Sequence, residues 1–359
     1  MTSSFLLYGA TGYTGELIAR DAVQRGLRPI LAGRRRDALA QLAAELHLEY
    51  RVFAVEQAVE AEAALSDVAV LLNCAGPFDR TAAPLAQLCI RSHTHYLDLA
   101  GEVPEFEEVA RFDEQARAAQ VMLLPGVGVG VVPSDCLALA LKERLPSAHE
   151  LSLVMYPLGE ASQGTLQSMV RDLQRGGVIR QQGQLVPTRV ASESRRVRFN
   201  QREHIAILNP WRADVFTAYY STGIPNIKTY TVFPTALSRF MQISPAIGWL
   251  LRSQWVQRLL QSALSRQPSG PSEDQRARGR TLFLGEVADA SGQKVTAELS
   301  GPEGYDFSVI TALACIGRIF AGDVQAGFHT PAQIFGSDFI RQLPGVTLVE
   351  GAADASKVG

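Results

Sequence analysis

The first 130 residues predict an α/β fold with a doubly wound parallel sheet, on two observations. Short and almost entirely apolar runs recur along this part of the chain, and stretches with helical spacing of apolar residues separate them. Such runs are typical of strands buried on both faces, as in a parallel sheet covered by helices. Regular alternation of strands and helices predicts parallel βαβ units.

Six strands and five helices are expected in this part of the chain. The strands are expected at residues 5–9, 28–33, 50–55, 68–76, 95–101 and 121–128. The helices are expected at residues 15–25, 37–47, 58–66, 81–92 and 104–119. Open α/β sheets bind ligands at the carboxyl ends of their strands, so functional residues are expected in the segments that follow these strands.

The composition describes an ordinary globular protein. The chain has 359 residues, which is enough for two domains, and 47% of them are apolar and 19% charged. A net charge of −2 offers no basic face for nucleic acid. No apolar run reaches the roughly 20 residues that span a bilayer, so no transmembrane segment is expected.

The cysteines predict neither a zinc site nor a disulfide framework. They are widely separated and form no Cys-x-x-Cys pair: Cys74, Cys89, Cys136 and Cys315. This usage, together with the lack of a recognisable secretory signal, favours a reducing, cytoplasmic location.

Three glycines in the stretch GATGYTG (9–15) follow the first strand and open the first helix. Gly9 is expected to make the turn, Gly12 to let the backbone approach a phosphate, and Gly15 to allow close packing of helix on strand. A dinucleotide pyrophosphate binds the amides at such a helix start, so the pattern predicts a Rossmann-like cofactor loop. A tight turn without a ligand is the alternative. The expected cofactor-binding residues are Gly9, Ala10, Thr11, Gly12, Tyr13, Thr14 and Gly15.

The end of the second strand indicates which nicotinamide cofactor binds. An NAD site usually has Asp or Glu there, but this chain reads LAGRRRD, with Gly33 followed by Arg34 and Arg35. A guanidinium can bind the 2′-phosphate of NADP(H) bidentately, with Arg34 as the first choice and Arg35 as the second. The alternative is that these arginines only form the solvated N-terminus of the next helix. Cations are unfavourable there because they oppose the helix dipole.

Two later loops are expected at the same edge of the sheet. In NCAGPF (73–78), the small residues suit a path beside the cofactor, although a plain connection to the next helix is the alternative. The residues expected to line this path are Cys74, Ala75, Gly76 and Pro77. The loop LPGVGVGVVPSD (124–135) suggests a hinge or a further cofactor contact.

Acidic residues in YLDLAGE (96–102) are the strongest candidates for proton transfer. Asp98 and Glu102 flank the end of the fifth strand, where burial could raise a carboxyl pKa and support general-acid catalysis. His95 is an alternative donor. The competing interpretation is structural: Glu102 caps the next helix, Asp98 accepts backbone amides, and His95 is a satisfied buried histidine.

The absence of two sequence patterns restricts the possible catalytic mechanisms. His93 and His95 could lie on one face of a strand, but no third ligand is near, so no metal site is expected. No tyrosine is followed by lysine four positions later, which excludes the Tyr-x-x-x-Lys mechanism of short-chain dehydrogenases.

The motifs YGATGYTG, AGRR, NCAGPF, HYLDLAGE and LPGVGVGVVPSD together resemble the saccharopine dehydrogenase-like NADP-binding proteins. The stretches 270–287, 301–313 and 326–340 resemble the bacterial branch of that family, which includes trans-acting enoyl reductases. The resemblance implies a Rossmann domain at 1–130, a second α+β domain with a mixed sheet at 131–305, and a C-terminal segment at 306–359 that returns to the first. Val129 and Gly130 replace a Phe-Asp pair that relatives tend to have, so an aspartate is absent here.

The second half of the chain fits such a domain. Helices are expected at 134–144, 162–177 and 307–322, strand-like runs at 149–159, 195–201, 215–222 and 227–233, and a hairpin at 280–301 with its turn at Ser291 and Gly292. Residues 265–279 are expected to form an exposed loop. The apolar segment 235–264, with Phe240, Met241, Trp249, Leu250, Leu251 and Trp255, fits a core or dimer interface, a substrate lid or a membrane-surface helix.

These expectations combine into an NADPH-dependent oxidoreductase that reduces an imine, carbonyl or enoyl group. Its substrate is a small molecule or an acyl or lipid-like compound, no nucleic acid takes part, and a homodimer is left open. The alternative from another functional class is a non-catalytic NADP(H)-binding redox sensor that reports to a partner.

Overall fold

The structure is a computed structural model that describes residues 4–166, 168–169, 176–199, 201–243, 269–351 and 354–355. The chain divides into two compact units. The first consists of Met1–Val132 and Tyr305–Gly336, and the second of Pro133–Gly304 and Ser337–Gly359. Residues 305–336 thus group with the first unit, and the described residues after 336 group with the second.

The strands, in chain order, are β1 (Phe5–Tyr8), β2 (Ile30–Gly33), β3 (Tyr50–Val52), β4 (Val70–Asn73), β5 (His95–Asp98), β6 (Met122–Leu124), β7 (Glu150–Leu158), β8 (Gly177–Gln181), β9 (Gln184–Thr188), β10 (Ser194–Phe199), β11 (Arg202–Leu208), β12 (Asn226–Thr231), β13 (Arg280–Ala288), β14 (Gln293–Gly301), β15 (Gly327–Phe328), β16 (Thr347–Glu350) and β17 (Asp354–Ala355).

The helices whose bounds the structure gives are α1 (Tyr13–Gln24), α2 (Arg36–Leu46), α3 (Ala58–Ala63), α4 (Phe78–Arg91), α5 (Val103–Ala110), α6 (Asp113–Ala118), α7 (Val132–Arg144), α8 (Asp214–Thr222), α9 (Thr235–Ile243), α10 (Glu273–Arg278), α11 (Gly304–Phe320) and α12 (Pro331–Phe335), with a 3₁₀ helix at Ser337–Gln342.

In the described residues, the first unit contains a seven-stranded parallel sheet with the order β15-β6-β5-β4-β1-β2-β3. All four residues of β1, of β2 and of β4 are buried, as expected for central strands covered on both faces. The predicted doubly wound α/β fold is therefore confirmed, and each of the six expected strands forms in a shorter version.

Two features of the first unit differ from the sequence prediction. The helix expected at 104–119 is two helices, α5 and α6, with Arg111 and Phe112 between them. The seventh strand, β15, comes from the C-terminal part of the chain and pairs with β6. A two-residue strand is too short to show any hydrophobic alternation, so no pattern could have predicted it.

The parallel arrangement brings several loops to one edge of the first unit. The carboxyl ends of β1, β2, β4, β5 and β6 all point to this edge, which we call the carboxyl edge. The loops that leave it are residues 9–12, 34–35, 74–77, 99–102 and 125–131. They include most of the positions that the sequence singled out.

The second unit has a mixed sheet, as the resemblance implied. In its described part, the strands lie in the order β10-β11-β12-β7-β13-β14-β16. β7 and β12 are parallel, and the other neighbours on this path are antiparallel. β8 and β9 form a hairpin beside β12, and β17 pairs with β14.

Helix α7 packs closely on this second sheet. A Cβ on Gly285 in β13 would lie 2.4 Å from Leu141 Cδ1 and 3.1 Å from Leu137 Cγ, both on α7. The absence of a side chain at this position therefore sets how near the helix can approach the strand. The expected hairpin also forms, with β13 and β14 joined by residues 289–292 and Gly292 at φ +86°.

One strand prediction in this unit is wrong. Residues 215–222, read as an alternating strand, belong to helix α8. The aromatic and β-branched residues of VFTAYYST suggested a strand, yet Phe216 and Tyr220 stack one helical turn apart, with ring centroids at 4.9 Å. Gly223 ends the helix in the left-handed conformation, with φ 68°.

Several expectations fall wholly or partly outside the described residues. Of the apolar segment 235–264, α9 is described and Met241 in it is fully buried, whereas Trp249, Leu250, Leu251 and Trp255 lie outside. The helix expected at 162–177 is described only in part, as are residues 265–279, where α10 replaces part of the expected loop. Within the described ranges, no helix has the length and apolar character needed to cross a membrane.

Candidate functional site

The loop between β1 and α1 uses its three glycines in two different ways. Gly9 has φ +84°, and a Cβ there would lie 2.7 Å from the Ala75 amide nitrogen. A Cβ on Gly15 would lie 2.3 Å from the Gly9 carbonyl oxygen. Packing alone therefore requires glycine at both positions. Gly12 is exposed, and the nearest contact of a Cβ there is the Gly9 oxygen at 3.2 Å.

Gly12 is also the N-cap residue of α1, and it has no side chain with which to cap the helix. The backbone amides at a helix N-terminus carry a partial positive charge and favour an anion. An exposed glycine at this point lets a phosphate come close to them. Ala10 lies beneath the loop, fully buried, with its amide donating to the Ala32 carbonyl oxygen at 3.2 Å.

The end of β2 lies beside this loop. The Arg35 guanidinium donates to the Thr11 carbonyl oxygen at 2.7 Å and to the Thr11 hydroxyl at 2.9 Å. Gly33 ends β2, and a Cβ there would lie 3.9 Å from the Gly9 amide nitrogen. Arg34 is exposed and forms no hydrogen bond or ion pair with the described residues. The structure thus brings both arginines to the glycine loop, with Arg35 already engaged by it.

A buried asparagine orders the loop that follows β4. The Asn73 side chain is fully buried, and its Oδ1 accepts from the Ala75 amide at 2.9 Å. Its Nδ2 donates to the Thr81 hydroxyl at 3.1 Å, and Thr81 in turn donates to the Ala75 carbonyl oxygen at 2.7 Å. Both polar backbone groups of Ala75 are therefore held, at the residue against which Gly9 packs.

The other residues expected in this loop lie at the carboxyl edge. Cys74 is partly buried, and burial raises the pKa of its thiol, so the thiol stays protonated at neutral pH. Gly76 and Pro77 are exposed, and the peptide bond between them is cis. A Cβ on Gly76 would meet nothing within 4 Å, so no neighbour requires glycine there.

Asp98 ends β5 and is fully buried. Its Oδ1 accepts from the Ala100 amide at 2.9 Å and from the Gly126 amide at 2.8 Å. Its Oδ2 accepts from the Tyr96 hydroxyl at 2.7 Å, and Tyr96 accepts from Asn73 Nδ2 at 3.3 Å. A continuous buried chain, Asn73–Tyr96–Asp98, therefore links the loops after β4, β5 and β6.

These contacts change the interpretation of Asp98. Burial raises its pKa to about 6, while the donors from Gly126, Tyr96 and Ala100 act in the opposite direction. A general acid must reach the reacting group, but both oxygens of Asp98 are occupied and the side chain has no exposed surface. The geometry favours the structural alternative, in which Asp98 fastens the neighbouring backbone.

The other two expected proton donors occupy different environments. Glu102 is partly buried at the carboxyl edge and is the N-cap residue of α5, but its side chain forms no cap hydrogen bond; Oε2 accepts from the Gly101 amide at 3.3 Å. His95 begins β5 and so lies at the amino ends of the strands, away from the carboxyl edge. Its Nδ1 accepts from the Met122 amide at 3.0 Å, and burial lowers its pKa. His95 is thus a neutral residue that joins β5 to β6.

The loop after β6 is held by Asp98 from two sides. In addition to the side-chain bond from Gly126, the Val127 amide donates to the Asp98 carbonyl oxygen at 2.8 Å. Gly126 has φ +76°, and a Cβ there would lie 2.6 Å from Phe106 Cζ. Gly126 therefore serves tight packing. In the described part of the chain, no group of three or more His, Cys, Asp or Glu side chains is placed to hold a metal ion.

Sequence reasoning missed the residues that connect these loops. Asn73, Thr81 and Tyr96 were not among the expected site residues, although each lies within or beside a motif that was. The available signal was a polar residue ending an apolar strand, VLLN at 70–73, and a tyrosine two positions before Asp98. Residues two apart in a strand share a face, which places Tyr96 and Asp98 together.

Comparison with known proteins identifies the first unit. Residues 5–124 match the family model described as the saccharopine dehydrogenase NADP binding domain. Residues 5–124 are therefore similar to the NADP-binding domain of saccharopine dehydrogenase. This confirms the resemblance predicted from the motifs.

Two curated relatives each match about a third of this chain. A trans-acting enoyl reductase of Mycobacterium ulcerans is 31% identical over 140 residues, covering 36% of this chain and 33% of the relative. A saccharopine dehydrogenase-like oxidoreductase of Bos taurus is 26% identical over 151 residues, covering 36% of this chain and 35% of the relative. The matched stretch therefore spans about a third of each relative's length.

A solved structure matches nearly the whole chain. Saccharopine dehydrogenase (L-Glu forming) from Saccharomyces cerevisiae, in its apo form, covers 97% of this chain and 100% of its own, with a TM-score of 0.68. The sequences are 10% identical, so the match shows a shared fold, a parallel sheet flanked by helices with a second domain that contains a mixed sheet.

The buried carboxyl gives a pH-dependent prediction for stability. Because folding raises the pKa of Asp98 from its ordinary value to about 6, its contribution to stability is fully present below about pH 4 and is lost as the pH rises through about 6. The unfolding free energy of the wild type should therefore fall, relative to Asp98→Asn, by on the order of 3 kcal/mol between about pH 4 and pH 7.5.

Urea unfolding of both proteins, followed by circular dichroism across this pH range, measures the difference. The other titrating groups are common to both proteins and cancel. A constant difference across the range would show that Asp98 is not a buried carboxyl of this kind.

Proposed function

We propose that the chain is an NADPH-dependent oxidoreductase that reduces an enoyl, carbonyl or imine group, with an enoyl group of an acyl or lipid-like substrate as the first choice. The observation that carries the proposal is the glycine loop: an exposed Gly12 caps α1 at the carboxyl edge, with Arg34 and Arg35 alongside. The enoyl preference is supported by the trans-acting enoyl reductase among the relatives.

The residues present fit a dinucleotide with a 2′-phosphate. The first-turn amides of α1 would hold the pyrophosphate, since a side chain at Gly12 would fill the space that a phosphate needs. The Arg34 guanidinium is exposed, and at this position it would bind the 2′-phosphate, with Arg35 as the second choice. The loop 74–77 lies on the other side of Gly9 and would flank the centre of the cofactor. When bound, the nicotinamide supplies a hydride.

Reduction also needs a proton at the atom next to the one that receives the hydride. Of the three expected donors, only Glu102 is partly exposed at the carboxyl edge, so we assign it the proton-donating role. Asp98 acts as a positioning residue, because it holds the Ala100 amide in the loop after β5 and the Gly126 amide in the loop after β6. His95 has no part in this step, since it lies at the opposite edge.

One observation favours a second candidate, a non-catalytic NADP(H) sensor. Asp98, the best-placed carboxyl by sequence, is buried with both oxygens occupied, which leaves a single expected donor at this edge. A sensor would bind NADPH and NADP⁺ with different affinities and consume neither.

The first prediction concerns the choice of cofactor. NADPH should bind at least tenfold more tightly than NADH, a difference of about 1.4 kcal/mol, because only NADPH carries the phosphate that Arg34 would bind. Arg34→Asp should erase or invert this preference in calorimetric titrations. Arg111→Asp, which changes the net charge equally at the far end of α5, should leave the preference unchanged. Equal affinities in the wild type would contradict the proposed 2′-phosphate site.

The second prediction separates the two uses of glycine. Gly12→Val should reduce NADPH affinity at least a hundredfold and lower the melting temperature far less than Gly15→Val, because Gly12 is exposed and the nearest contact of a Cβ there is the Gly9 oxygen at 3.2 Å. Gly15→Val should instead destabilise the fold, because its Cβ would meet backbone at 2.3 Å. Calorimetry and thermal unfolding of the pair give the two readouts. Normal NADPH binding by Gly12→Val would show that the glycine loop is a tight turn with no role in cofactor binding.

The third prediction separates the enzyme from the sensor. The wild type should oxidise NADPH in the presence of some member of a set of 2-enoyl thioesters of graded chain length, followed at the nicotinamide absorbance. Glu102→Gln should slow this oxidation at least about a hundredfold while retaining NADPH affinity, as expected for loss of a general acid. NADPH binding without oxidation across enoyl, carbonyl and imine substrates would favour the sensor.

A further inference from the structure

Helix α11 begins against the glycine loop of the first unit. The ring of Tyr305, in the first turn of α11, meets the ring of Tyr13 edge to face, with centroids 5.0 Å apart and an interplanar angle of 87°. Tyr13 is the first residue of α1 and directly follows Gly12. Both rings are partly buried, so each keeps exposed surface beside the start of α1.

The next residues of α11 contact the loop after β6. The Ser308 hydroxyl accepts from the Val129 amide at 3.1 Å, and it lies 3.3 Å from the position of a Cβ on Gly128. Ser308 is three residues after Tyr305, about one helical turn. The first turns of α11 therefore touch both the start of α1 and the loop after β6.

Strand order places these contacts on a particular half of the carboxyl edge. β4 and β5 lie between β1 and β6, whereas β2, which ends before Arg34, lies on the opposite side of β1. Tyr305 is thus on the side of the glycine loop away from the two arginines. Given the proposed function, on which this inference rests, that side receives the nicotinamide half of the cofactor.

We infer that Tyr305, braced by Tyr13, forms a wall of the nicotinamide half of the site and determines affinity for that half. The edge-to-face contact fixes the orientation of the Tyr305 ring, and aromatic pairs prefer this geometry. The ring offers apolar surface to the dihydronicotinamide and its ribose and keeps water from that side. Tyr305 comes from a segment that lies about 180 residues beyond the family-matched domain, so the NADP-binding site is not complete within residues 5–124.

The test compares the whole cofactor with a fragment that lacks the nicotinamide half. Calorimetry gives dissociation constants for NADPH and for adenosine 2′,5′-bisphosphate with the full chain. Tyr305→Ala should weaken NADPH at least tenfold and leave the bisphosphate within about twofold of wild type. Tyr305→Phe should retain NADPH affinity within about threefold, because the ring forms the wall. Tyr50→Ala truncates an exposed tyrosine at the start of β3, at the amino ends of the strands of the same sheet. It should change neither the NADPH affinity nor the bisphosphate affinity.

Different outcomes overturn different claims. Unchanged NADPH affinity in Tyr305→Ala, or an equal loss for NADPH and the bisphosphate in a protein that melts as the wild type does, would overturn the role of Tyr305. A Tyr305→Phe variant as weak as Tyr305→Ala would overturn the assignment to the ring. Failure of the wild type to bind either ligand would instead overturn the proposed function. If Tyr305→Ala does not fold, Tyr305→Leu keeps apolar bulk in the turn without the ring, and the same split is expected.

Discussion

The buried hydrogen-bond chain Asn73–Tyr96–Asp98 is the interaction on which the rest of the candidate site depends. It runs beneath the carboxyl edge and fixes one backbone position in each of three loops, at Ala75, Ala100 and Gly126. A buried polar group left without a partner costs about 1–3 kcal/mol, so a partly broken chain would be costly. Because every link is made, the chain holds these three backbone positions in place.

The glycine loop depends on that arrangement. Gly9 packs directly on Ala75, so the loop after β4 must be in place for the turn after β1 to form its close contact. Gly9 and Gly15 shape the loop, because a side chain at either position would clash with the backbone. Gly12 is exposed to solvent. Arg35 then ties the loop to the end of β2 through Thr11. Loops held in this way favour tight binding of a cofactor, because little conformational entropy is lost when the cofactor binds.

The sequence was informative about loops and less so about what holds them. Glycine, arginine and small-residue motifs located the carboxyl edge because backbone conformation and ligand approach restrict residue type locally. The role of Asp98 was not decided by sequence, because it depends on the register that pairs Asn73 with Asp98 and Leu71 with Tyr96 across β4 and β5. Register is a long-range property of the sheet. For the same reason Tyr305 could not be connected to Tyr13, about 290 residues earlier.

The remaining errors also have physical causes. The segment 215–222 has the residue types of a strand, but burial of Val215, Phe216 and Ala218 in a helix outweighs that preference. The strand β15 is formed by pairing with β6 and by no property of its own two residues.

A crystal structure of the protein with bound NADP⁺ tests the central claim most directly. The preorganised edge predicts pyrophosphate oxygens within about 3 Å of the first-turn amides of α1. It also predicts that Ala75, Ala100 and Gly126 keep their hydrogen bonds to Asn73 and Asp98. A pyrophosphate bound elsewhere, or loops that abandon the Asn73–Tyr96–Asp98 chain when the cofactor binds, would contradict it.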